Sequence, residues 1–392
     1  MDLFVILLST KLLGILTKKV QIPAVVGALL AGVIFGPAIL NNIHETEFLM
    51  TLSELGVIVI MFTAGLEVDI KELKKCGKSA TFIAFLGVII PLVAGGIFAC
   101  FFNNNGSIMQ MDYNQLLQNI FIGVILTATS VSLTVEALKE MGKLTSKVGN
   151  TILAAALIDD VMGIVVLTII TSMADSSVSI PIVLLKLLGF FVFAIVVGIL
   201  ANKAFKAWMT DSPKGLRRHI VLAFCLCLGM SYIAEVYFGV ADITGAFIAG
   251  VILSNTPKSK YLDKRFDSLL YMLLAPVFFA SIGLKVCLEG FDTGLIVFTI
   301  GLIIVAMLTK VIGCFIASKM CKFSNKESLQ IGTGMIARGE VALIVANKGA
   351  AVGLMNPIYF GPLVIMVVFI AISTPILLKL TFHEKKKKVE IS

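Results

Sequence analysis

The chain has 392 residues, of which 58% are apolar and 14% charged, and carries a net charge of +8; its mean hydropathy is +1.02. A soluble fold of that length needs a far larger polar skin, so the composition excludes an ordinary soluble enzyme and indicates a polytopic membrane protein. Seven cysteines form no C-x-x-C pair; Cys225, Cys227 and Cys314 lie in apolar runs and are expected to be reduced packing residues, neither disulfides nor metal ligands.

A membrane-spanning helix needs about 20 mostly apolar residues. In chain order that ruler predicts thirteen spans, at 2–18, 22–40, 51–70, 77–102, 115–138, 148–173, 179–206, 217–235, 240–254, 266–287, 293–319, 327–350 and 357–381. No basic stretch precedes the first span and no small-residue cleavage site follows it, so a retained helix is expected there rather than a signal peptide.

The loops between spans alternate in charge. One set carries Lys18 and Lys19; Lys71, Lys74, Lys75 and Lys78; Lys139, Lys143 and Lys147; Lys214, Arg217 and Arg218; Lys258, Lys260, Lys264 and Arg265; Lys319, Lys322 and Lys326; and Lys385 to Lys388. The other set, around Asn41 to Met50, Asn103 to Tyr113, Met173 to Ser179, Glu235 to Gly239, Leu288 to Thr293 and Ala351 to Pro357, carries no Lys or Arg. Basic loops stay in the cytoplasm, so a cell-membrane protein with its N-terminus outside and its C-terminus inside is expected. The same asymmetry accounts for the net charge, and the basic clusters read as topology determinants and lipid-phosphate contacts, with no nucleic-acid partner.

The stretch Gly27-Ala-Leu-Leu-Ala-Gly-Val-Ile in span 2 recurs 218 positions later as Gly245-Ala-Phe-Ile-Ala-Gly-Val-Ile in span 9. At the same offset, Gly65-Leu-Glu-Val ending span 3 matches Gly283-Leu-Lys-Val ending span 10. Patterns of spaced glycines are common wherever membrane helices pack closely, but the shared offset favours a repeat. Because seven is odd, copies seven spans apart cross the membrane in opposite directions, as in the inverted repeats of secondary transporters. The single transmembrane domain, 1–392, then divides into a first repeat at 1–178 (spans 1–6), a linker helix at 179–206, a second repeat at 217–381 (spans 8–13) and a short basic cytoplasmic tail at 382–392.

Ionisable groups deep in a membrane are expensive and usually functional. Asp159 and Asp160 lie about 11 residues from the cytoplasmic end of span 6 and Lys310 about 9 from that of span 11, depths of roughly 14–18 Å, near the middle of the hydrocarbon core. Arg338 and Glu340 in span 12, and the run Thr127-Ala-Thr129-Ser130 in span 5, fall in the same layer. Spans 5 and 12 occupy corresponding places in the two halves, one with clustered hydroxyls and the other with Gly332, Gly334, Gly339 and a charged pair. Both are expected to unwind near the midplane, with Arg338 and Glu340 either offsetting the partial charges of the half-helix ends or forming a local ion pair. Gly332-x-Gly334-x-x-Ala337 resembles a dinucleotide fingerprint, but no strand precedes it and no nucleotide role is expected.

Consecutive helix residues point about 100° apart, so one of Asp159 and Asp160 can pair with Lys310 while the other opens onto a water-filled cavity. A desolvated carboxylate takes up protons near neutral pH, and its hard oxygens suit an alkali cation, so the two ligands compete for one group.

In order along the chain, Ile22-Pro23-Ala-Val-Val-Gly27-Ala-Leu-Leu-Ala-Gly32-Val-Ile-Phe-Gly36-Pro37, Met61-Phe62-Thr-Ala-Gly65-Leu66-Glu67, Thr127-Ala-Thr-Ser-Val-Ser, Leu157-Ile-Asp159-Asp160, Gly245-Ala-Phe-Ile-Ala-Gly250, Phe278-Phe-Ala-Ser-Ile-Gly283-Leu and Ala337-Arg338-Gly339-Glu340 resemble the second monovalent cation/proton antiporter family, which includes sodium/proton antiporters and the potassium-efflux Kef systems. The resemblance covers nearly the whole chain. It implies an all-α fold of thirteen helices in a homodimer, with spans 5 and 12 broken and crossed, a dimer domain of spans 1–3 and 8–10, and a core of spans 4–6 and 11–13 that moves as an elevator. By that analogy Asp160 is the main cation and proton carboxylate, Asp159 pairs with Lys310, Thr129 and Ser130 join the ion site, and Thr127, Arg338 and Glu340 stabilise the broken helices. The Asp pair and Lys310 look like the sodium/proton branch. Only ten or so residues follow span 13, so the nucleotide-binding regulatory domain of Kef proteins is not expected. Asp242 departs from the family, which is usually uncharged there; with Glu235 it could form an outer cation-attracting funnel.

The expected activity is exchange of cytoplasmic Na+ for external H+, without covalent chemistry or a cofactor. Release of a proton by Lys310 as well would move two protons per sodium. Exchange of K+ or NH4+ is the nearest alternative. A sodium-coupled solute symporter needs a roomy organic pocket, and an intramembrane aspartyl protease needs its two acids on separate helices.

Overall fold

The computed structural model describes residues 1–19, 22–68, 70–103, 112–174, 180–211, 216–286 and 292–382. In lipid every backbone amide must be satisfied within the protein, and this chain does so with helices: α1 (Asp2–Lys19), α2 (Ala24–Phe35), α3 (Glu47–Glu67), α4 (Ile70–Asn103), α5 (Tyr113–Thr127), α6 (Val131–Glu140), α7 (Lys147–Ala174), α8 (Ile180–Asp211), α9 (Leu216–Val236), α10 (Asp242–Ser254), α11 (Ser259–Leu269), α12 (Ala275–Leu284), α13 (Thr293–Met320), α14 (Asn325–Gly334), α15 (Glu340–Ala351) and α16 (Phe360–Phe382). A π-helical turn, Leu270–Leu274, joins α11 to α12. Among the described residues nine helical segments are long and apolar enough to cross a membrane, with shorter apolar helices at 24–35, 242–254 and 341–351.

Each expected span coincides with one helix or a run of two. Spans 5 and 12 are broken: α5 and α6 are separated by residues 128–130, and α14 and α15 by residues 335–339. The helix ends at the membrane faces carry ordinary caps. Thr46 accepts from the Leu49 amide, Asp292 from that of Leu295, and Ser324 and Glu327 form a reciprocal capping box at α14.

The helix contacts fall into two sets. In one, α2 packs on α1 and α12, α3 on α10 and α12, and α10 on α9. In the other, α4 packs on α5, α7 and α13, and α13 on α14 and α16. Two glycine crossings hold the first set together. A Cβ on Gly32 would fall on the backbone of Ala280 and Gly283, and one on Gly65 on the backbone of Phe247 and Gly250. Just beyond each crossing the chain ends its helix in the same way, the Val68 amide donating to Gly65 O and the Val286 amide to Gly283 O, both at 3.3 Å.

Four boundaries differ from expectation by five residues or more, and one of them is a shortening: α2 ends at Phe35 rather than 40, where Gly36 and Pro37 stop the helix. The others are extensions: α4 begins at Ile70 rather than 77, α11 begins at Ser259 rather than 266, and α8 runs to Asp211 rather than 206. These extensions carry Lys and Asp residues, which a hydrocarbon-length ruler excludes but which a helix outside the hydrocarbon tolerates. Cys227 and Cys314 are buried, whereas Cys225 is exposed on the apolar outer face of α9 and so is not a packing residue. The tail at 383–392, Lys214, the side chains of Lys74 and Arg217, and most of the expected loops at 103–113, 173–179 and 288–293 lie outside the described residues.

Candidate functional site

The two breaks meet. The Ser130 amide donates to Ala337 O at 2.8 Å, joining the unwound strands directly, and a Cβ on Gly339 would lie 2.6 Å from Ser130 Oγ, so only glycine permits the approach. A broken membrane helix leaves carbonyls that need donors, and side chains supply them. Arg338 Nη2 donates to Leu126 O at 2.5 Å and Lys310 Nζ to Thr127 O at 2.9 Å, placing two cations at the negative C-terminal end of α5. Thr134 Oγ1 donates to Gly334 O at 2.9 Å at the end of α14. Thr127 ties its hydroxyl into its own last turn, 2.7 Å from Val124 O.

Lys310 also lies 2.7 Å from Asp159 Oδ1, and both side chains are sealed from solvent, at 0% and 1% exposure. α13 brings the lysine and α7 the carboxylate; α4 lies between, where Gly87 leaves space beside Cys314, Lys310 and Asp159. Asp160, one residue on, is 9% exposed. Both carboxylates line a cavity of about 460 Å³ with Thr127, Ala128 and Gly163. Its rim carries Glu45, Glu54, Glu235, Asp242, Lys285 and Lys348, on the face where the loops lack basic residues.

Thr129 and Ser130 are buried in the break. Ser130 Oγ is 3.2 Å from Ser132 Oγ, whereas Thr129 Oγ1 has no hydrogen-bond partner among the described residues. Arg338 is fully buried at the α5 end. The side chain of Glu340 lies outside the described set, although its backbone begins α15. Among the described residues no three His, Cys, Asp or Glu side chains cluster as a metal site. A small cation at Asp160 would therefore share carboxylate, hydroxyl, carbonyl and water oxygens.

Sequence reasoning misses two contacts. Thr134 carries an ordinary helical pattern and gives no signal for its bond across the break. Lys139 reads as one of the loop lysines, yet away from the break it lies between α3, α6 and α11, 3.0 Å from both Glu67 and Asp267.

Two broken helices thus meet around a buried Lys–Asp pair beside a second carboxylate, and nearly the whole chain matches one family. The profile described as "Sodium/hydrogen exchanger, transmembrane" covers residues 4–383. The chain belongs to the sodium/hydrogen exchanger family. Members of this exchanger family are multi-pass membrane transporters. The exchanger is 38% identical to the Na(+)/H(+)-K(+) antiporter GerN of Bacillus cereus, over 99% of this chain and 97% of that one. It is 36% identical to a Na(+)/H(+) antiporter of Enterococcus hirae, over 96% of each. The sodium proton antiporter MjNhaP1 of Methanocaldococcus jannaschii, in a structure at pH 8, shares the fold with a TM-score of 0.68 over 96% of this chain and 94% of that one, at 22% identity.

Proposed function

We propose that the exchanger loads Na+ and H+ alternately on Asp160 and carries them across the membrane in opposite directions. The activity is Na+/H+ antiport. The observation that carries the site assignment is the division of labour between neighbouring acids: Asp159 is committed to Lys310, while Asp160 lines the same aqueous cavity one residue further round α7. Two ligands competing for one carboxylate couple the fluxes when only a loaded core moves across.

The set α4–α7 and α13–α16 is the moving core, and α1–α3 with α9–α12 the scaffold and homodimer surface. The cavity is lined by Glu45, Met50, Glu235 and Gly239 from the face that the charge asymmetry assigns to the exterior, which supports reading this as the outward-open state of an elevator cycle. The inverted repeat at 1–178 and 217–381 is supported by the glycine crossings: shifting Gly32 and Gly65 by the repeat offset gives Gly250 and Gly283, so one crossing maps onto the other. Lys and Arg placement supports an external N-terminus and a cytoplasmic C-terminus in the cell membrane. The ordered motifs support placement in the second monovalent cation/proton antiporter branch.

Potassium is the second reading, favoured by the Na(+)/H(+)-K(+) designation of the GerN relative. Dequenching of a pH-sensitive dye in everted vesicles separates the two. Sodium addition is expected to collapse the proton gradient; a response to potassium and none to sodium would overturn the ion assignment.

A further inference from the structure

The ion site accounts for Asp159, Asp160, Lys310 and Arg338, but not for Lys139. This residue ends α6, with Nζ 3.0 Å from Glu67 Oε1 at the end of α3, and 3.0 and 3.9 Å from Asp267 Oδ1 and Asp263 Oδ1 on α11. Glu136 and Glu140 on its own helix bring two further carboxyls close by; Glu140 accepts from the Ala24 amide at 2.8 Å. One ammonium thus ties the broken-helix set to the α3–α11 side, at the face opposite the cavity.

A matching lysine stands at the open face. Lys139 lies nine residues beyond Ser130, the N-cap of α6, and Lys348 lies nine residues beyond Gly339, the N-cap of α15. The partner positions repeat too. At the 218-residue offset Glu67 corresponds to Lys285, and Glu45 to Asp263. Lys285 Nζ is 3.6 Å from Glu45 Oε1, and both line the open cavity with Lys348. The acids Glu54, Glu235 and Asp242 face the same space.

We propose that Lys139 and Lys348 are paired gate residues, each closing one face of the exchanger by docking on scaffold carboxylates: Lys139 on Glu67, Asp263 and Asp267 in the outward-open state, and Lys348 on Glu45 in the inward-open state. The inference rests on the alternating-access reading above. When the core moves, Lys139 withdraws from its acids as Lys348 reaches the corresponding acid on the other face. An ion pair is stronger in a closed, water-poor seam than across an open, screened one, so each lysine favours the state in which its own face is shut.

The test uses an accessibility reporter. Gly163 lines the cavity and nothing lies within 4 Å of a Cβ there, so Gly163→Cys fits and can be labelled in intact cells by a membrane-impermeant maleimide. The chain without Gly163→Cys supplies the background from native cysteines. Adding Lys139→Gln is expected to slow labelling by up to about fivefold, the ratio set by one partly exposed ion pair, while Lys139→Arg keeps the parental rate. Adding Lys348→Gln is expected to speed it. A shift of both Gln variants in the same direction, or no shift in either, would overturn the pairing. Lys348 is exposed and its substitution is expected to leave the fold intact, so if Lys139→Gln fails to accumulate, an unchanged or slower rate in Lys348→Gln overturns it alone. Absence of sodium-driven proton movement in the chain without Gly163→Cys would instead overturn the proposed function, whatever the labelling pattern.

Discussion

The Lys310 ammonium and the Asp159 carboxylate meet at 2.7 Å where neither reaches solvent, and the same ammonium donates to the carbonyl that ends α5. The pair therefore links three helices, α5, α7 and α13, at the level of the helix break. Breaking one partner of a fully buried pair strands the other charge, at a cost of about 3–5 kcal/mol. Asp159→Asn is expected to lower thermal stability in detergent sharply, and the double variant Asp159→Asn with Lys310→Gln to recover much of the loss. Thermal-shift curves of the three proteins check this; an Asp159→Asn protein as stable and as active as the parent would remove the pairing.

Thr129 separates stability from transport. Its hydroxyl is buried without a protein partner among the described residues, so the near-isosteric Thr129→Val removes an uncompensated polar group and is expected to leave stability unchanged or raised by about 1 kcal/mol. If that hydroxyl is reserved for the cation, the sodium concentration giving half-maximal exchange should rise several-fold while the thermal midpoint holds. A variant with unaltered sodium dependence would remove Thr129 from the ion site.

Arg338 acts on the other α5 carbonyl. Arg338→Met leaves Leu126 O without its donor and the end of α5 without a compensating cation, a loss of about 1.5–3 kcal/mol for a charge-assisted bond. Exchange is expected to fall together with thermal stability, in contrast to Thr129→Val. Undiminished stability in Arg338→Met would show that the break is held by other contacts.

The glycine crossings predict symmetric effects. Gly65→Ala and Gly283→Ala each drive a methyl into backbone across the interface, and overpacking of this kind costs about 1–3 kcal/mol. Gly77→Ala, with nothing within 4 Å of its Cβ, is the control, expected to be neutral or slightly stabilising. Thermal-shift measurements on all three decide it; equal tolerance at the three positions would contradict the close approach.

Much of this architecture is legible in the sequence, for a physical reason. Lipid demands about 20 apolar residues per crossing, and it makes every midplane charge and every clustered hydroxyl conspicuous. The break at 128–130 is legible as hydroxyls in an apolar span, and that at 335–339 as glycines beside a charged pair at midplane depth. Asp159, Asp160 and Lys310 stand out because no other charged residue lies in the middle of their spans. The same reasoning fails near the faces, where charge is ordinary. Lys139 looked like one more loop lysine, and only the packing of α6 against α3 and α11 revealed three carboxylates around it. The α11 extension, Ser259–Leu269, was invisible for the same reason. Nor could apolar spacing reveal the π turn at Leu270–Leu274, since Leu270, Tyr271 and Met272 suit an ordinary helix equally well.

The carboxylate at 160 bears the central claim. Everted vesicles containing the parent or Asp160→Asn, energised to an acid interior and then given sodium, report exchange as dequenching of a pH dye. The parent is expected to respond and Asp160→Asn to give a response indistinguishable from vesicles without the protein, while its thermal stability shows it folded. Full sodium-driven dequenching in Asp160→Asn would contradict the assignment of the transported ions to that residue.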